Sequence, residues 1–105
     1  MNILHVLDER WDSGLTAYGL GAARALRDRG HAVWIAARPG GPADRSARAE
    51  GFPTLAPSVL DLRRAVIQHR IEVLNAHTGS GHSRGFLATR GTPTALVRTR
   101  AEARR

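Results

Sequence analysis

The 105-residue sequence contains no cysteine and no lysine, and its aromatic side chains are limited to Trp11, Tyr18, Trp34, Phe52 and Phe86. Without cysteine there can be no disulfide framework, no thiolate nucleophile and no cysteine–zinc site. Without lysine there can be no Walker A phosphate loop, whose Gly-Lys-Ser/Thr step requires one. No apolar run approaches the roughly 20 residues of a membrane span. The start at Met1 also lacks the basic-then-apolar pattern of a signal peptide. The expected compartment is the cytoplasm, with peripheral contact to the inner face of a membrane left open.

What is present is ordinary in bulk and unusual in charge. The hydrophobic fraction of 42% and charged fraction of 24% suit a small globular domain. The net charge is +7 and every cation is arginine. These arginines are scattered over several segments rather than gathered on one element, and few aromatic platforms accompany them. A nucleic-acid surface needs both clustering and stacking partners, so no nucleic-acid partner is expected. Attraction to anionic head groups or a diphosphate remains open.

Along the chain, short apolar runs alternate with amphipathic ones. "NILHVLD" (residues 2–8) reads as a buried strand cut off by charge. "GLTAYGLGAARALRDRG" follows as a helix, with Leu15, Tyr18, Ala22, Ala25 and Leu26 at helical spacing and Gly30 to stop it. "HAVWIAA" is a second strand, and "GGPADRSARAEG" a short helix with Pro42 at its first position and Gly51 at its cap. "FPTLAP" reads as a third strand. Ser58 then opens a helix, with Asp61 three residues on in a near capping-box arrangement. "IEVLNAH", "SRGFLATRG" and "TPTALVRT" read as strand, helix and strand.

Strands alternating with helices predict an α/β fold: a Rossmann-like parallel sheet of about five strands with helices on both faces. In that fold the order 3-2-1 reverses and strand 4 lies beside strand 1. Ligands bind at this switch point, outside the carboxyl ends of the strands. The two loops expected there are "ERWDSG" and "AHTGSGH", so the polar run Thr78, Gly79, Ser80 and His82 falls in the right place for a site. Gly14, flanked by Ser13 and Leu15, would open the first helix, where unpaired N–H groups and the lack of a Cβ favour a phosphate. A plain helix start capped by Ser13 or Asp12 is the alternative. The dinucleotide fingerprint is broken, because Thr16 stands where its second glycine belongs. An NADP domain using Arg38 is therefore the weaker alternative. His77 and His82 lack a third ligand at suitable spacing for zinc, so no metal is expected.

The stretches "SGLTAYGLGAARALRDRGHAV", "ARPGGPADRSARAEGFPTL", "LDLRRAVIQHRIEVLNAHTGSGHS" and "GTPTALVRTR" together resemble the N-terminal domain of glycosyltransferase family 4 enzymes of GT-B fold. The likeness runs over essentially the whole chain and keeps motif order. It implies the acceptor-side part of a retaining enzyme that moves a sugar from a nucleoside-diphosphate sugar to a hydroxyl acceptor, with no further cofactor. Gly14 matches the loop glycine that approaches the donor diphosphate, with Ser13 and Leu15 beside it. His77 matches the second histidine of the fourth-strand motif, and so implies a catalytic role near the donor sugar. Asn75 stands where the first histidine would be.

Thr78, Gly79, Ser80, His82, Arg98 and Arg100 are the candidates for acceptor or sugar contacts. The resemblance also implies that residues 1–105 are one incomplete domain, inactive alone, whose donor-binding C-terminal partner is absent. The fifth strand would then be an uncovered edge through which that partner or a second copy could bind. A non-catalytic Rossmann-like module that binds a partner chain or an anionic small molecule is the rival reading.

Overall fold

In the computed structural model, residues 1–8 and 14–99 are described, the side chains of 14–16 excepted. Five strands, β1 (Asn2–Leu7), β2 (Ala32–Ala37), β3 (Thr54–Leu55), β4 (Val73–Ala76) and β5 (Ala95–Arg98), alternate with four helices, α1 (Gly14–Asp28), α2 (Pro42–Ala49), α3 (Val59–Gln68) and α4 (Gly79–Thr89). All strand pairings are parallel, and the order is β3-β2-β1-β4-β5. The predicted reversal is therefore present: β1 is flanked by β2 and β4, and the loops leaving β1 and β4 emerge at the same end of the sheet.

The side-chain period of two sorts β1 onto two cores. Leu4 and Val6 face Leu62, Ala65 and Val66 of α3 and Ala88 of α4. Leu7 faces the opposite way, against Leu20 and Ala23 of α1 and Ala43 and Ala47 of α2. Both faces of the central strands are thus covered, as their near-continuous apolar sequence requires. Gly19 sets how closely α1 lies on β1, since a Cβ there would come within 2.4 Å of Leu7 Cδ2. At the far edge β5 is less covered; Val97 retains 43% of its accessible surface.

The helix ends follow their capping chemistry. Pro42 is the first residue of α2, and Gly51 follows its cap at φ +83°, a conformation that costs glycine little. The Ser58 hydroxyl accepts the Asp61 N–H at 3.2 Å and donates to the Asp61 carboxylate at 2.7 Å. The main departure from the sequence reading is α4. It begins at Gly79 rather than Ser83, so "GSGH" lies within the helix instead of forming a loop before it. Thr78 is the N-cap and accepts the Gly81 N–H at 2.9 Å. His82 does not open the helix. It is the fourth residue, with its N–H on the Thr78 carbonyl at 2.9 Å.

Candidate functional site at the β1–β4 switch point

The carboxyl ends of β1 and β4 bring together two buried polar groups. His5 lies opposite Asn75 in the parallel register, and His77 is two residues beyond Asn75. The period of two puts His5, Asn75 and His77 on one face of the sheet, the face covered by α1. The imidazoles of His5 and His77 stack, with centroids 5.1 Å apart, and His5 Nδ1 lies 2.9 Å from His77 Nε2. Both rings are buried. The exposed Tyr18, on the second turn of α1, stands edge-on to His77 at 6.4 Å. Burial, and next the neighbouring His77, hold the His5 pKa down to about 4, so the ring is neutral near pH 7.

The second group centres on Asp8. Its carboxylate accepts hydrogen bonds from the Thr78 hydroxyl, from the Ser80 hydroxyl at 2.8 Å and from Arg84 at 3.2 Å. A negative charge therefore occupies the first turn of α4, where the helix dipole and charge-assisted bonds favour it. Gly81 makes the approach feasible: a Cβ there would lie 2.9 Å from Thr78 Oγ1 and 3.1 Å from Val6 Cγ1. The sequence reading took Asp8 only as the charge that ends a strand, and did not single out His5.

The predicted residues are accordingly divided. Thr78 and Ser80 spend their hydroxyls on Asp8. Gly79 is exposed at the start of α4, next to the Arg98 guanidinium, which would lie 3.7 Å from a Cβ placed there. Arg98 therefore does reach this end of the sheet. Asn75 ties β4 to the end of β5, its Oδ1 accepting the Thr99 hydroxyl at 2.8 Å. His82 is half-buried on α4. Gly14 is the first residue of α1 and Leu15 the second. Ser13 and Arg100 lie outside the described residues. Among the described residues, no group of three or more His, Asp or Glu side chains is arranged to hold a metal ion.

The four helix starts differ in how their positive ends are met. Asp44 lies in the first turn of α2 and Asp61 in that of α3, while Asp8 supplies the carboxylate at α4. The first turns of α1 and α4 contain no acidic residue of their own.

No protein-family model matches the chain, nor does any curated protein. Solved structures that share its fold include the two that follow. MurG of Acinetobacter baumannii superposes with a TM-score of 0.75 at 17% identity, over 97% of this chain and 36% of its own. A glycosyltransferase from Rickettsia africae gives 0.80 at 16% identity, over 94% of this chain and 29% of its own. The fold is one that a glycosyltransferase uses. At these identities the likeness concerns architecture alone, and the chain spans about a third of each matched protein. Among the described residues no helix is long and apolar enough to cross a membrane.

Proposed function

We propose that this chain forms the acceptor-side domain of a retaining glycosyltransferase that takes a sugar from a nucleoside diphosphate and gives it to a hydroxyl acceptor. The observation that carries the reading is the helix start at Gly14. It stands at the switch point, and none of the residues of its own first turn is acidic. Backbone N–H groups at such a terminus suit the leaving diphosphate, whose charge grows as the glycosidic bond to it breaks. His77, at the end of the adjacent strand, is the hydrogen-bonding group placed toward the reacting sugar. Arg98, exposed beside Gly79, offers an anionic acceptor a cation on the β4–β5 side. Most of the donor would be held by a second domain, and the β5 edge is the surface through which further chain would extend this one.

The test is binding of inorganic pyrophosphate and of uridine diphosphate, followed through the backbone amide signals of the 105-residue chain. The expected result is a saturable shift at Gly14 and Leu15 that Gly14→Val abolishes. A missing shift there at millimolar ligand, or one that survives Gly14→Val, would overturn the assignment.

A further inference from the structure

A cavity of about 510 Å³ opens at the carboxyl ends of β2 and β3. Two proline steps wall it. Arg38–Pro39 leaves β2 and Ala56–Pro57 leaves β3, and the parallel register of these strands carries the two steps side by side. Proline fixes its own φ and keeps the residue before it extended. The Gly41 N–H also pins the Arg38 carbonyl at 2.9 Å. Val59 of α3 and Arg84 of α4 line the cavity from the helix layer. Those helices pack on the Leu4 and Val6 face, whereas α1, which begins at Gly14, packs on the Leu7 face.

Two guanidinium groups thus meet one cavity, and none of its described lining residues is acidic. Arg38 is exposed, and among the described residues its side chain has no hydrogen-bond or ion-pair partner. Arg84 is tethered to the buried Asp8 through one nitrogen, at 3.2 Å. Its remaining N–H donors stay available. The carboxylates on the surrounding elements are committed elsewhere. Asp8 also accepts from Thr78 and Ser80, Asp44 from the Gly40 N–H and Arg48, and Asp61 from Ser58, with Arg64 alongside. Because Asp61 already meets the start of α3, the charge of the cavity comes from its two arginines.

We propose that this cavity binds the phosphate group of a small phosphate monoester. The guanidinium fork matches phosphate oxygens, and a tetrahedral dianion presents acceptors toward two walls at once, where a planar carboxylate presents one edge. The cavity is larger than a bare phosphate needs and falls within the roughly 300–1,000 Å³ of small-molecule sites. Pro39, Pro57 and Val59 would meet the carbon skeleton of the ester. A contact from Arg38 to the 2′-phosphate of NADP fails with the dinucleotide fingerprint, but the affinity of its guanidinium for a phosphate monoester does not need that fingerprint. Nor does the site rest on the glycosyltransferase reading.

The test titrates glycerol 3-phosphate, inorganic phosphate and acetate into the 15N-labelled 105-residue chain at fixed ionic strength. Saturable shifts are expected at the Arg38, Ser58 and Val59 amides, tightest for glycerol 3-phosphate and weakest for acetate. Arg38→Ala breaks no side-chain bond of the fold and should weaken binding about tenfold. Arg29→Ala, which removes the same charge at the amino end of the sheet, should leave it unchanged. Arg84→Ala should weaken it too; that variant also loses the Asp8 bond, so Arg38→Ala decides if it does not fold. Cosedimentation with vesicles of phosphatidic acid in phosphatidylcholine separates a lipid phosphate from a soluble one, and either source fits if Arg38→Ala abolishes the binding. Acetate binding as tightly as glycerol 3-phosphate would overturn the proposal. So would binding indifferent to Arg38→Ala, or weakened equally by Arg29→Ala. Pyrophosphate at Gly14 is read on other amides and on another variant, so either reading can fail alone.

Discussion

At the amino end of the β1–β4 pair, the Asn2 side chain donates to the carbonyls of His69 and Arg70 at 2.9 and 3.4 Å, and its backbone N–H donates to Glu72 Oε2 at 3.1 Å. At the carboxyl end of the same two strands, His5, His77 and Asp8 are all buried. The amino end places its polar groups near water and spends them on closing the turn after α3. Beside it opens a groove of about 810 Å³, lined largely by apolar residues such as Val66, Ile67, Ile71 and Pro93. The carboxyl end has the costlier chemistry, with a carboxylate and two imidazoles under cover and His5 Nε2 without a hydrogen-bond partner. Buried polar groups cost free energy unless fully satisfied, and departures of this kind concentrate where a fold does something other than fold.

The comparison is broken most directly at Asp8. Asp8→Ala strips Thr78, Ser80 and Arg84 of their common acceptor and leaves the start of α4 without its charge. The loss of three hydrogen bonds to a buried carboxylate, one of them from the half-exposed Arg84, points to a cost of about 3–4 kcal/mol. Urea unfolding followed by circular dichroism would measure it. A loss under about 1 kcal/mol would mean that the cluster does not hold β1 to α4.

Protons test the same end. In the unfolded chain His5 titrates near 6.5, and in the fold near 4. Between these values the unfolded state binds a proton that the folded state refuses, so stability rises with pH across the window. The contribution is fully present above about pH 6.5, is lost progressively as pH falls toward 4, and changes no further below that. At about 1.4 kcal/mol per unit, it amounts to about 3 kcal/mol. The check is the unfolding free energy at several pH values for wild type and His5→Phe. The variant should lose this part of the slope, and parallel curves would show that His5 does not cause it.

These two groups also mark how far the sequence could be read. Strand–helix alternation was enough for the sheet order, because parallel connection rules leave few topologies. Helix α4 was harder, since two glycines and a serine are poor helix formers. Their tertiary reason, the approach of Gly81 to Val6 and of Gly85 to Leu74, joins residues far apart in the chain. The burial of Asp8 likewise depends on partners 70 to 76 residues away. His5 left a usable signal. Once strand 4 is set beside strand 1, a histidine in the middle of the first strand and one ending the fourth can share a face. The placement of Gly14 and His77 at one end of the sheet follows from that topology, whereas the engagement of Thr78 and Ser80 by Asp8 does not.

The smallest effect belongs to the amino end, and it sharpens the contrast. Asn2→Ala removes the side-chain bonds to His69 and Arg70, but the backbone bond from Glu72 N–H to the Asn2 carbonyl, at 2.8 Å, does not depend on the side chain. The freed carbonyls lie where water can replace the lost donor, so no buried group is left unsatisfied. One part-exposed hydrogen bond is worth about 1 kcal/mol net. The neighbouring turn needs it more than most, because Arg70 adopts φ 51°, a left-handed conformation that a residue with a Cβ adopts at some cost. The expected result is a loss of about 1 kcal/mol in urea unfolding, with the pH dependence assigned to His5 unchanged. A loss as large as that of Asp8→Ala would mean that the amino end, too, is held by buried polar groups, and the difference between the two ends would vanish.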